Sequence, residues 1–409
     1  MRIREVAAVT DMGPKRRVNE DAILNAPDLP LFAVVDGTGG PQVGKFVCRV
    51  LEQAGDVLRR HGRRVRRDGS TASRIAVGQF FEKAFEKVSE AIQEERSRTG
   101  GQTMGASVVA ATVLGQLGYV SHVGDTRAYL LRDRKLRRLT ADHTLAMLQL
   151  QRGEITEDEF EGSPFKHTLS QALGVTPRLE VDTAEIRLQD GDVLVLCSNG
   201  LTRSIPDDYL QGLLLQPGLQ RAARGVIDAA RARGARDNAT IVLVEVGAEE
   251  DDERTAPATA NAVDTVRKVF LFRLLTEPQW LAVAPFIEEH TFEDGDVIYD
   301  AGDEGDRFYI LGRGRVRVRA EGLKVRELGP GGTFGELALA APYRRQESVS
   351  SVGRTVAFSI SRASFRHLVN QKPVLGSRLA LGLIRGLGDR VVALNGSIAK
   401  VRRAMSQLG

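Results

Sequence analysis

Residues 31–40 read LFAVVDGTGG. Five apolar residues, Leu31 to Val35, run unbroken into Asp36, and three glycines follow within the next four positions. A short apolar run bounded by turn residues predicts a strand buried on both faces, which places Asp36 where that strand opens into a loop. Loops at strand ends on a rigid sheet are where catalytic side chains usually sit. The same pattern recurs at Ala106–Leu114, Gly118–Val123, Val193–Cys197 and Thr240–Val246. Between these runs the apolar period predicts helices over Gly44–Leu58, Ser73–Glu95 and Leu210–Ala232.

Five positions share the setting of Asp36 or are Asp36 itself: Asp21 (RRVNEDA), Asp36 (VVDGTGG), Asp125 (VGDTRAY), Asn199 (LCSNGL) and Asp237 (ARDNATI). Hard divalent cations such as Mg²⁺ and Mn²⁺ take oxygen ligands, and carboxylates converging from several strand ends can hold two of them. Such a pair acidifies a water and clamps a transferring phosphoryl group. The glycines after Asp36 let the backbone turn so that the Gly37 carbonyl faces a metal. Taken singly, each position also fits a turn or a cap, because Asp and Asn bond their own backbone.

The chain has 409 residues, long enough for two or three domains. Its 57 basic and 53 acidic residues leave a net charge of +4, which argues against a dedicated nucleic-acid binder. Two cysteines, Cys48 and Cys197, cannot build a disulfide framework, and they are expected as packing residues in a reducing compartment. No apolar block marks a secretory leader or a membrane span, so a cytoplasmic protein without membrane partners is expected. The six histidines lack ligand-like spacing, and His122 reads as a core residue on a strand. The stretch Arg59–Arg67 (RRHGRRVRR) reads as a solvated loop, the alternative being a surface for an acidic or phosphorylated partner.

Residues 248–264 read AEEDDERTAPATANAVD, five consecutive acids followed by small and polar residues, which predicts a linker. Beyond it the pattern changes to hairpin spacing. Alternation in Phe308–Leu311 and Val316–Arg319, separated by a Gly-rich turn, predicts an antiparallel barrel or roll. In ELGPGGTFGELALAAPYRRQESV a glycine-rich turn precedes a short helix near Glu336, an arrangement that gathers N–H groups toward an anion; a plain hairpin loop is the alternative. At the end, Ile384, Leu387, Val391, Leu394, Ile398, Val401, Met405 and Leu408 are spaced 3-4-3-4-3-4-3. That seam predicts a parallel coiled-coil homodimer; a helix lying on its own barrel is the alternative, and Gly382, Gly386, Gly388 and Gly396 weigh against the helix.

The ordered motifs RRVNED, VVDGTGG, VSHVGDTRAYLLRDRKLRRLTADHT, HTLSQALG, LQDGDVLVLCSNGL and ARDNATIVLV resemble those of the metal-dependent protein phosphatases of type 2C, from about residue 5 to residue 247. The resemblance implies an α+β fold, an αββα sandwich of two antiparallel sheets, and hydrolysis of phosphoserine and phosphothreonine in proteins by water activated between two metal ions. By motif, Asp36 would bridge two Mn²⁺ or Mg²⁺ ions, the Gly37 carbonyl would bind one and Asp237 the other. Glu20 and Asp21 would order metal-bound waters, Asp125 would serve a third ion, and Arg16 would grip the phosphate. Asn199 stands where the family carries a metal-ligand Asp; Thr38 and Gly105-Ala106-Ser107 are further departures.

Residues 268 to about 370 resemble cyclic nucleotide-binding domains through FEDGDVIYDAGDEGDRFYILGRGRVRV and FGELAL followed by Arg345. That resemblance implies a β-roll with a long terminal helix, with cyclic AMP or cyclic GMP as effector. Glu336 would hold the ribose and Arg345 the cyclic phosphate, assisted by the backbone of Gly335 and Leu337. Gln346 and Glu347 stand where the family has small residues. The resulting expectation is a phosphatase domain over 1–247, an acidic linker over 248–266, a nucleotide-binding domain over 267–370 and a helical tail over 371–409. Its partners would be phosphorylated proteins or a protein kinase, and its output would be set by the nucleotide. The alternative is a phosphatase-like adaptor that binds phosphoproteins and dimerises, favoured by Asn199 and Glu347.

Overall fold

The computed structural model describes residues 1–99, 104–248, 265–320 and 325–406. The chain forms two compact units, Met1–Asp252 and Glu253–Gly409. The acidic linker expected at 248–266 lies, from 249 to 264, outside the described residues, as does Leu408 of the heptad seam.

The first unit contains β1 (Arg2–Asp11), β2 (Asp21–Ala26), β3 (Leu31–Thr38), β4 (Gly105–Leu114), β5 (Leu117–Val123), β6 (Arg127–Arg132), β7 (Lys135–Arg138), β8 (Asp182–Arg187), β9 (Val193–Cys197) and β10 (Ala239–Gly247). They form two five-stranded antiparallel sheets, β1-β10-β9-β6-β7 and β2-β3-β4-β5-β8. Each sheet buries one face under helices. Ala106, Val108 and Ala110 of β4 pack with Val47, Leu51, Phe81 and Phe85 from the helices Pro41–Gln53 and Thr71–Arg98. Ile241 and Leu243 of β10 pack with Ala223, Val226 and Ile227 of the helix Leu219–Ala232. The alternate residues Val109 and Ala111, or Val242 and Val244, are equally buried but belong to neither cluster. Burial on both faces is why these strands read as continuous apolar runs rather than as alternation.

Two helical expectations change at their joints. Gly44–Leu58 spans the end of one helix, Pro41–Gln53, and the start of another, Gly55–Asp68. Likewise Leu210–Ala232 covers two helices, Asp207–Leu214 and Leu219–Ala232. The Arg59–Arg67 stretch is not a loop. It lies inside Gly55–Asp68, burying Leu58, Gly62 and Val65 and ending on Gly69 in the left-handed region. Arginine is a good helix former, and the buried positions Gly55, Leu58, Gly62 and Val65 give the helix the stripe a loop would lack.

The second unit contains β11 (Ile287–Phe292), β12 (Val297–Tyr299), β13 (Arg307–Arg319), β14 (Arg326–Leu328), β15 (Thr333–Phe334) and β16 (Ser348–Ser361) in one antiparallel sheet. It closes around Tyr299, Tyr309, Leu311, Val316, Val318, Phe334, Val349 and Ala357. The predicted Gly-rich turn between Phe308–Leu311 and Val316–Arg319 is absent: both segments belong to β13, whose register shifts against β16 at Leu311/Arg313 and Arg313/Arg315. Gly314, at φ 84°, supplies the bulge, so the glycine bends the strand instead of reversing it. The chain continues into the helices Arg362–Gln371 and Pro373–Ser406.

The terminal helix buries Leu375, Leu379 and Leu383, while Ile384, Val391 and Leu394 of the seam are exposed. Its first half packs within its own unit, against Val369 of the preceding helix and the segment around Phe270 and Leu271, and Ile384, Val391 and Leu394 lie on another face. A Cβ on Gly382 would stand 2.8 Å from the carbonyl oxygens of Phe270 and Leu271, and one on Gly386 would run into the Phe270 ring. These glycines allow close packing, which offsets their cost to the helix.

Candidate active site

The acidic positions converge where strand ends of the two sheets meet. Asp21 opens β2 directly opposite Asp36 of β3, which stands opposite Ser107 of β4. Cross-strand partners share a face, so two carboxylates and a hydroxyl form one row, with like charges side by side. Asp125 follows β5, Asn199 follows β9 and Asp237 precedes β10. Thr240 Oγ1, from the other sheet, donates to Asp21 Oδ2 at 2.6 Å and ties the two sheets at this row. Ser198 Oγ accepts from Thr240 N–H at 3.0 Å, and a Cβ on Gly200 would run into the Asn238 carbonyl. The SNG turn therefore presses directly against the DN turn.

Arg16 Nη2 donates to Asp237 Oδ2 at 2.9 Å, and its Nη1 lies 3.6 Å from Glu20. Glu20 Oε1 accepts from Gly40 N–H at 2.6 Å, so one of its oxygens pins the glycine turn. Gly37 sits where a Cβ would stand 2.8 Å from the Glu20 carbonyl oxygen, which restricts the position to glycine. Asp125 accepts from Ser107 Oγ at 3.2 Å, from Asn199 Nδ2 at 3.1 Å on each oxygen, and from Arg203 Nη2 at 3.3 Å.

Burial raises Asp21 to about 6, against hydrogen bonds from Thr240 and Ser198 that lower it. Burial also lifts Asp36 well above the ordinary carboxylate range, and the neighbouring Asp21, Asp125 and Asp237 push it further. Asp36 is enclosed by protein atoms yet still partly reached by solvent. Two like charges opposite one another, both resisting ionisation, form a site that a cation stabilises. The donors are carboxylates and an amide oxygen, which suits hard divalent ions. Asn199 Oδ1 is buried with no hydrogen-bond partner, an orphaned oxygen of the kind a metal ion satisfies. On these observations the residues fit a divalent centre.

Among the described residues, the one group of three potential ligands with donor atoms within 4.8 Å of one another is His122, His143 and Asp182, not the acidic row. Hydrogen bonds account for that group. Gly124 N–H donates to His143 Nδ1 at 3.3 Å, so Nε2 carries the proton and faces Asp182 at 3.2 Å. His122 Nε2 donates to the Ala141 carbonyl at 2.8 Å. A protonated Nε2 is not a ligand, and His122 is the buried core residue the sequence suggested. Cys48 and Cys197 are also buried and unpaired.

In the second unit Gly335, Glu336, Leu337 and Arg345 come together. Glu336 is 5% exposed; its Oε1 accepts from Arg390 Nη1 of the terminal helix, and its Oε2 is buried without a partner. Arg390 Nη2 donates to the Thr333 carbonyl at 2.9 Å. The Arg345 guanidinium lies 4.1 Å from the Tyr299 ring centre and donates to the carbonyls of Arg307 at 2.9 Å and Gly335 at 3.4 Å. Leu337 opens the short helix Leu337–Ala340 and is exposed. Glu347, which stands where the family has a small residue, accepts from Arg326 at 2.9 Å, so its charge is answered.

Residues 19–149 match the family profile of Protein phosphatase 2C, and residues 289–372 match that of the Cyclic nucleotide-binding domain. The chain is 34% identical over 246 residues to the serine/threonine phosphatase stp of Listeria monocytogenes serotype 4b, a match covering 58% of this chain and 93% of that protein. The chain belongs to the protein phosphatase 2C family. The solved serine/threonine phosphatase PstP/Ppp of Mycobacterium tuberculosis is 26% identical with a TM-score of 0.50, over 60% of this chain and 99% of its own. PppA, a key regulatory component of T6SS in Pseudomonas aeruginosa, is 27% identical with a TM-score of 0.50, over 60% and 98%.

The protein is thus a type 2C serine/threonine phosphatase, and the adaptor alternative is not favoured. Its αββα sandwich and nucleotide-binding β-roll are the folds the motifs implied. Sequence reasoning missed four residues of this phosphatase. Asn238 donates to the Met12 carbonyl at 2.7 Å and to that of Val18 at 3.2 Å while accepting from Glu20 N–H at 2.9 Å, clipping the loop that carries Arg16. Thr240 reads as one more β-branched strand residue. Arg203 and Arg390 are two among 57 basic residues, with no local signal to separate them. No described helix is long and apolar enough to cross a membrane.

Proposed function

We propose that this phosphatase is metal-dependent, with a centre for two divalent cations built on Asp21, Asp36, the Gly37 carbonyl, Asn199 and Asp237. The observation that carries the reading is the like-charged pair Asp21 and Asp36, set opposite one another beside an orphaned Asn199 oxygen. Manganese or magnesium ions held there would acidify a water and neutralise phosphoryl charge. Arg16, exposed at the rim and bonded to Asp237, swings to grip the phosphate of a phosphoseryl or phosphothreonyl protein as a two-pronged donor. Glu20 and Asn238 hold that loop in place. The substrate is a phosphorylated protein, a protein kinase among the candidates.

The second unit supplies regulation by a cyclic nucleotide, cyclic AMP or cyclic GMP, bound at Gly335, Glu336, Leu337 and Arg345. A ribose hydroxyl taking Glu336 competes with Arg390, so ligand binding and the position of the terminal helix are linked. Through its seam that helix forms a homodimer. The domains follow as 1–247, the linker 248–266, 267–370 and the tail 371–409. The test is phosphopeptide hydrolysis with Mn²⁺, with and without each nucleotide, in wild type and Arg390→Ala. Wild-type turnover should require Mn²⁺ and change several-fold with nucleotide, since couplings are typically about 1–3 kcal/mol. Arg390→Ala should bind nucleotide more tightly and lose most of that change. Equal turnover in excess chelator would end the metal reading, and an unresponsive wild type the regulatory one.

A further inference from the structure

Three donors make four hydrogen bonds to Asp125, which is 4% exposed: Ser107 Oγ, Asn199 Nδ2 toward both oxygens, and Arg203 Nη2. A carboxylate offers about four lone-pair sites, so Asp125 has none to spare. Asn199 and Arg203 come from one turn. Asn199 opens the helix Asn199–Thr202 and Arg203 follows at i+4, so both side chains reach the same neighbour. A carboxylate at 199 would meet Asp125 with like charge, whereas the amide meets it with N–H groups. That choice turns Asn199 Oδ1 away from Asp125, where it is left buried and unpartnered.

We infer that Arg203 is the resident cation at the Asp125 end of the site, held there with Asn199, so that this phosphatase works with two metal ions and takes no third at Asp125. The inference rests on the two-ion centre proposed above. Arg203 is a positioning residue: it fixes Asp125. Arg203 and Arg16 are similarly exposed; what sets Asp125 apart from Asp237 is that Ser107 and Asn199 donate to it as well.

The test is metal stoichiometry in the full-length protein. Mn²⁺ binding is measured by calorimetry and by the electron spin resonance of free Mn²⁺, and ions are located by anomalous diffraction from Mn²⁺-soaked crystals. Wild type should bind two ions per chain, with no anomalous peak at Asp125. The double variant Asn199→Asp, Arg203→Gln should gain a third ion there, and Arg203→Lys, which keeps the charge, should stay at two. A third ion at Asp125 in wild type overturns the inference, as does a folded double variant that still binds two. Fewer than two ions in wild type overturns the two-ion centre itself, and this inference with it.

Discussion

Asp21 and Asp36 face each other across two strands, where like charges directly opposite destabilise the pairing. Asp21 titrates at about 6 in the folded metal-free protein, against about 4 for an unfolded aspartate. Between those values the folded state keeps a proton that the unfolded chain has released. Its contribution to stability is therefore fully present below about pH 4 and is lost as pH rises through about 6. In chelator, wild type should lose stability relative to Asp21→Asn between pH 4.5 and 7.5, as read by chemical denaturation. The opposite slope would contradict the burial of that carboxyl. Mn²⁺ must displace the same protons, so its affinity should weaken as pH falls through that window. Asp36→Asn and Asp237→Asn should each cut phosphopeptide turnover by at least about a hundredfold, since even outer partners of a metal cost ten- to a hundredfold. Circular dichroism should stay unchanged.

The terminal helix shows how one residue type plays opposite parts along one element. Gly386 sits against the Phe270 ring, while a Cβ on Gly388 would meet nothing within 4 Å. Gly388→Ala should stabilise the second unit by about 0.5–1 kcal/mol through helix propensity alone. Gly386→Ala should destabilise it by about 1 kcal/mol or more, because overpacking exceeds the propensity gain. Trp280, the single tryptophan, is buried in the second unit, so its fluorescence reports that unit's unfolding in the intact protein. Equal signs for the two variants would refute the packing role of Gly386.

At the scale of the whole molecule, the phosphatase domain and the cyclic nucleotide-binding domain are separate units joined by one chain. The exposed seam residues Ile384, Val391 and Leu394 have no place in either core. Replacing Val391 and Leu394 with Glu should convert a homodimer to monomer in light scattering, leaving Mn²⁺-dependent turnover of the first unit intact. An unchanged mass would remove the seam from the account of assembly. Deleting residues 249–409 should abolish any nucleotide effect, and a truncated protein that still responds to cyclic AMP would place the sensor elsewhere.

Much of this was written along the chain. The apolar runs beside Asp36, Asn199 and Asp237 are legible because a strand buried on both faces needs an unbroken apolar stretch, whatever packs against it. The motifs around those residues carried the family and the first fold, and FGELAL followed by Arg345 carried the second. Three features were not legible. The joints of the helices follow from local geometry that periodicity averages over. The bulge at Gly314 replaces a turn because β16 runs alongside both halves of β13. Arg203 and Arg390 acquire their meaning only from Asp125 and Glu336, carboxylates brought beside them by folding. Periodicity reports what a residue is buried against on average; a charge needs a particular partner, and only the folded chain supplies it.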